Sequence, residues 1–311
     1  MDFKNRKSRK NRRNQPVRYV FLFVFLFCGF LSKAQFDTEK YDKESFLIGT
    51  LNEYMNYQRT FTNNGMGGSY YQRVDAIGAY YRRAGDMSLN ELKNALFIDS
   101  LFNSDYSDIT ISIYGQPEGI VEMYSPALSL KIDDYYNYKP TGRGTLMHPD
   151  TFESDVIYEG LLKKEQFETE KQKLSFLLGA FLRYGSGRDR DRVNSLIQTL
   201  KRDNLIEENK EYENISYSFS MSNAPTKATT CAELLKDLGC DAEHIMRRNT
   251  IPVGHFVVFI PSDKVMEVID EAERLKEYIE TIDTSHVEFT PDGTKFIKVE
   301  PGPALIPLPI F

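Results

Sequence analysis

Between residues 215 and 299 the apolar positions recur at every second residue, then at every third or fourth, and the switch repeats in a set order. Residues 215–221 (Ile-Ser-Tyr-Ser-Phe-Ser-Met) alternate cleanly, which predicts a half-buried strand. Residues 231–238 take helical spacing and meet Gly239, the residue type favoured just past a helix C-terminus. Two short strands, 243–248 and 255–260, flank a turn over 249–254. A long helix follows over 263–282, with Ser262 as its N-cap and Val265, Met266, Ile269, Leu275 and Ile279 inward. The last strand is expected at 286–290, turned by Pro291-Asp292-Gly293 into a partner at 295–299.

This β-α-β-β-α-β order is that of the ferredoxin-like split βαβ arrangement. Right-handed crossovers would set both helices on one face of an antiparallel sheet. Upstream, helices are expected at 45–59, 70–83 and 88–102, the last opened by a Ser88–Glu91 capping box. Residues 108–114 alternate strictly, and 120–124 and 127–132 are expected as further strands after turns at 116–119 and Ser125-Pro126. Residues 137–150 hold two Gly and two Pro with no clear period, which predicts a loop or junction. Helices follow at 168–184 and 192–202. The expectation is an α+β protein with an N-terminal α+β domain (35–140), a junction (141–164), a C-terminal α+β domain (165–300) and an apolar Pro-rich tail (301–311). Residues 76–82 and 177–183 echo each other, from duplication or coincidence. Gly78 and Gly179 inside helices cost about 1 kcal/mol each against Ala, which points to close approach of a neighbouring element.

The chain begins with a polar, basic stretch followed by thirteen apolar residues (19–31) and small Ser32 and Ala34. That is the pattern of a secretory signal cleaved after Ala34, so export to the periplasm or beyond is expected. An uncleaved anchor and lipidation at Cys28 are the alternatives. The whole-chain charge of −6 blends two parts: residues 1–34 carry nine bases and one acid, leaving 30 bases and 44 acids, or −14, on 35–311. Such acidity speaks against nucleic acid or an anionic membrane as the main partner and suits a basic protein. No apolar run after residue 34 reaches spanning length.

Candidate chemistry is sparse. Cys231 and Cys240 form a disulfide only if the chain folds back after Gly239, since a helix ending at 238 carries Cys231 about 10 Å from that end. Two buried thiols are the other outcome. His244 and His255, on paired strands, could face each other, but a metal there wants further ligands and Glu243 points to the opposite face. No metal site and no cofactor is expected. His148 and Asp150, in the polar loop, with Asp133 and Asp134 nearby, are the weak candidates for general-base chemistry. Gly65-Met-Gly-Gly-Ser69 has the look of an anion loop but lacks a preceding strand and a Lys, so it is expected to connect two helices. Tyr135, Tyr136 and Tyr138 are weak candidates for a binding surface, with surface-edge packing as the alternative. The expectation is an exported acidic protein that binds a partner, with an immunity- or inhibitor-like role as one version. A secreted hydrolase built on His148 and a component of a surface assembly are the alternatives.

Overall fold

In a computed structural model of the chain, residues 36–51, 57–63, 69–73, 87–114, 120–147, 154–186, 190–206 and 215–284 are described. By its contacts the chain divides into Met1–Asp37 and Thr38–Phe311, and every element below belongs to the second unit. The leader, His148, Asp150, the expected strands at 286–290 and 295–299, the tail at 301–311 and the 76–82 echo lie outside the described residues.

Two helices form the centre. Helix α1 (Lys43–Thr50) starts at Asp42, whose carboxylate accepts from the Ser45 N–H at 2.7 Å. Helix α4 (Glu170–Tyr184) opens with a full capping box between Thr169 and Gln172. Residues 45–50 of α1 and 175–181 of α4 are all buried, so both helices are enclosed on every side where they meet. They cross at Gly49 and Gly179. A methyl group on Gly179 would strike the Phe46 carbonyl and stand 3.0 Å from the Thr50 N; one on Gly49 would strike the Phe176 carbonyl. The close approach expected of Gly179 is thus a contact between two backbones.

Before α4 the chain builds strands β1 (Tyr57–Asn63) and β2 (Ser69–Arg73), helix α2 (Met87–Phe102), strands β3 (Thr110–Tyr114) and β4 (Ile120–Tyr124), helix α3 (Pro126–Asp133) and strands β5 (Tyr136–Met147) and β6 (Ser154–Leu162). The outer four pair antiparallel in the order β2-β1-β6-β5, and β3-β4 is a separate hairpin. Several expectations change here. The helix expected over 45–59 stops at Thr50, and Tyr57–Asn63 is strand. The start of the helix expected at 70–83 is strand β2, so Gly65–Ser69 joins two paired strands and not two helices. Residues 127–132 are helical: Ser125 caps α3 by accepting from the Leu128 N–H at 3.1 Å, and Pro126 supplies the fixed φ of the first turn.

The expected loop at 137–150 is mostly β5, and the expected junction at 141–164 spans paired β5 and β6. Pro140 is tolerated because β5 is an edge strand, and the register slips between Pro140 and Gly142.

After α4 come α5 (Arg190–Arg202), β7 (Tyr217–Ser222), α6 (Pro225–Asp237), β8 (Asp241–Arg247), β9 (Gly254–Ile260) and α7 (Asp263–Glu280). Gly239 holds φ of +82°, the left-handed value that ends α6. The last three strands pair antiparallel as β7-β9-β8. Helix α5 packs Val193, Ile197 and Leu200 on Ile245 and Val258 of one sheet face. Helix α6 lies on β8 and β9, while α7 packs against α4 and α2. The free side of β7 is engaged by Gly185 and Ser186, the latter's N–H donating to the Ser218 carbonyl at 2.9 Å. The structure is therefore α+β with small antiparallel sheets. Among the described residues no helix is long and apolar enough to cross a membrane.

Candidate functional site

The three-stranded sheet brings two histidines and two methionines onto one face. Its register sets Met221 of β7 and Met246 of β8 opposite His255 of β9, on either side. Side chains alternate along a strand, so Met221, His255 and Met246 form one cross-strand row on one face. His244 lies opposite Val257, two residues along β9 from His255, and is therefore its diagonal neighbour on that face.

The two imidazoles meet. His244 Nε2 is 3.1 Å from His255 Nδ1, with the ring centroids 5.3 Å apart. One nitrogen must donate and the other accept, an arrangement open to neutral rings. Burial keeps them neutral: it lowers the pKa of His244, and for His255 burial, reinforced by its neighbour His244, brings it down to about 4. His255 is 3 % exposed, whereas His244 is half-buried and has the Thr229 hydroxyl of α6 at 3.4 Å from Nδ1. At the row's end Arg248 Nε donates to Met246 Sδ at 3.3 Å. Among the described residues no three His, Cys, Asp or Glu side chains come together.

A second polar group sits at the C-terminus of α1. Lys227 of α6 is wholly buried and donates to the carbonyls of Ile48, Gly49 and Leu51 at 2.8, 3.1 and 2.6 Å. Arg183 reaches the Thr50 carbonyl and the Tyr184 hydroxyl the Leu51 carbonyl, each at 2.7 Å. The carbonyls that a helix end leaves without partners are thus satisfied by side chains from α4 and α6, with two cations at the negative end of the dipole. The Lys227 ammonium also stands 5.5 Å from the Tyr184 ring centroid. This group is structural, since its donors are taken up by backbone.

The remaining expected residues scatter. Cys231 and Cys240 are buried thiols not joined in a disulfide. Cys231 lies inside α6; the Cys240 sulfur accepts from the Ser262 N–H at 3.3 Å and helps hold the start of α7. Tyr135 and Tyr136 are buried, and burial raises the Tyr135 phenol to about 12. Tyr138 is half-buried and donates to Asp133 at 2.5 Å. The methionines were missed because a row across three strands depends on register, and Met221 is 34 positions from His255 in the chain. His244-x-Met246 within one strand was the available signal. Comparison with protein-family models, curated proteins and solved structures finds no match.

Proposed function

We propose that the protein is exported and acts by binding a basic protein partner outside the cytoplasm. The observation that supports this reading is the outward side of α7. That helix holds seven acids and three bases, and Asp263, Glu267, Asp270 and Glu277 lie along its exposed side, with Arg274 between the last two and Glu267 paired with Lys40 at 2.9 Å. A row of this kind on a body of charge −14 draws a cationic surface and repels anionic ones, with an effect that salt weakens. An immunity- or inhibitor-like role is the concrete form of the proposal. Part of the same proposal is a ferredoxin-like arrangement of the C-terminal part. The order β7-β9-β8 is what a ferredoxin-like arrangement requires of three of its strands.

The test is capture of envelope proteins on the purified protein at low and at raised salt, with the partners identified by mass. The expected result is a basic partner held at low salt and released as salt rises. Its affinity should fall at least tenfold for the Asp263→Lys, Asp270→Lys, Glu277→Lys variant. Absence of any salt-sensitive partner, or binding indifferent to this variant, overturns the proposal.

A further inference from the structure

We propose that His244, His255, Met221 and Met246 form a binding site for a single copper(I) ion. The two imidazole nitrogens that meet at 3.1 Å are placed as a pair of ligands. An ion about 2.0–2.1 Å from each nitrogen would be seen at an angle of about 100°, close to tetrahedral. Reaching it takes a modest turn of the half-buried His244 ring, against the exposed Thr229 hydroxyl that stands 3.4 Å from its Nδ1.

The choice of metal follows from the other donors. No carboxylate or thiolate joins the two histidines among the described residues, which removes the oxygen set that calcium, magnesium or manganese needs and the third hard ligand usual for zinc. The side chains that flank His255 in register are thioethers. Thioether sulfur is a soft donor that selects copper(I), and methionine's three rotatable bonds let it turn toward an ion without moving the backbone. Met246 exchanges its contact with the exposed Arg248 for the metal. The half-buried His244, beside exposed Thr229, is the side from which an ion enters; His255 and Met221, both almost fully buried, close the site behind it.

The experiment titrates the purified full-length protein with copper(I), kept reduced with ascorbate under nitrogen, against a chromophoric copper(I) chelator. One equivalent should be retained, with both nitrogen and sulfur donors in the X-ray absorption spectrum. His244→Gln and the double variant Met221→Leu, Met246→Leu should each weaken binding at least tenfold while circular dichroism and the melting transition persist. His244 is half-buried, so its variant keeps the test interpretable if the methionine variant does not fold. The Cys231→Ala, Cys240→Ala variant should retain the metal. No retained copper, copper held by nitrogen donors alone, or copper that survives His244→Gln but is lost with the cysteines overturns the proposal.

Discussion

Lys227 and Asp99 are both buried, and their surroundings treat their charges in opposite ways. Lys227 faces three carbonyls at the end of α1 and two aromatic rings, so its ammonium is solvated by the protein in place of water. Lys227→Met keeps the volume but leaves those carbonyls short of donors, and a loss of about 3 kcal/mol is expected in urea unfolding. Lys227→Arg should recover only part of it, because a planar fork does not match three converging carbonyls. Asp99 on α2, 8 % exposed, has nothing comparable: burial raises its pKa from 3.8 to about 6. The unfolded chain ionises this group first as pH rises, so the folded state loses stability from about pH 3.8 to 6 and does not regain it above. Asp99→Asn should therefore be more stable than the parent by about 2–3 kcal/mol at pH 7, with the difference gone below pH 4. A variant no more stable at pH 7 would show that the carboxylate is compensated after all.

At the scale of elements, the α1–α4 crossing decides more than any propensity. Alanine is the better helix former by about 1 kcal/mol, so an isolated α4 would gain from Gly179→Ala. Here the added methyl meets the Phe46 carbonyl and the Thr50 N, neither of which can swing aside. The helices must separate, and a net loss of at least about 2 kcal/mol is expected by thermal or urea unfolding. Leu182→Ala on the same helix is a control for general damage, since it only enlarges a small cavity lined by Thr50, Asn94, Phe97, Ile98 and Arg183. A neutral Gly179→Ala would mean that the helices are not held at this distance.

The same scale shows what was legible in advance. Helices α2, α4, α5 and α7 and strands β3, β4, β7, β8 and β9 lie close to where the period of their apolar residues places them. The misplaced segments are those whose punctuation has two meanings. Ser125-Pro126 starts a turn or a helix, and the bond from Ser125 Oγ to Asp108, at 2.6 Å, helps choose the helix. Pro140 with Gly142 marks a loop or a bulged edge strand, and only pairing with β6 distinguishes them. Of the candidate site, the facing of His244 and His255 was legible from two alternating strands. The methionines beside them were not.

For the whole molecule, pH sets two buried groups against each other. His255, held near 4 in the folded state against 6.5 when free, lets the unfolded chain bind a proton first. Above pH 6.5 it contributes nothing; as pH falls from about 6.5 toward 4 it destabilises the fold. Asp99 does the reverse over about 6 to 3.8, so the two effects partly cancel in the parent protein. Removing Asp99 should expose the histidine: stability of Asp99→Asn is expected to fall more steeply than the parent's between pH 6.5 and 4. Adding His255→Gln to that variant should make the fall shallower, leaving the share of His244, whose pKa burial also lowers, and an unchanged slope would assign it to other groups.

The order of periods along the chain determined by itself that this is an α+β protein with a β-α-β-β-α core, because apolar periodicity is a local property that burial of one face enforces. Local chemistry also set the ends of α4 and α6, through the Thr169–Gln172 box and the left-handed Gly239. Tertiary structure alone decided where α1 stops, that 137–147 pairs as a strand, and that two histidines and two methionines share one sheet face. Each of those depends on a partner distant in sequence: donors from α4 and α6 for the carbonyls of α1, β6 for β5, and strand register for the site. Register and helix contact are long-range choices made by the packing as a whole, and no local pattern carries them.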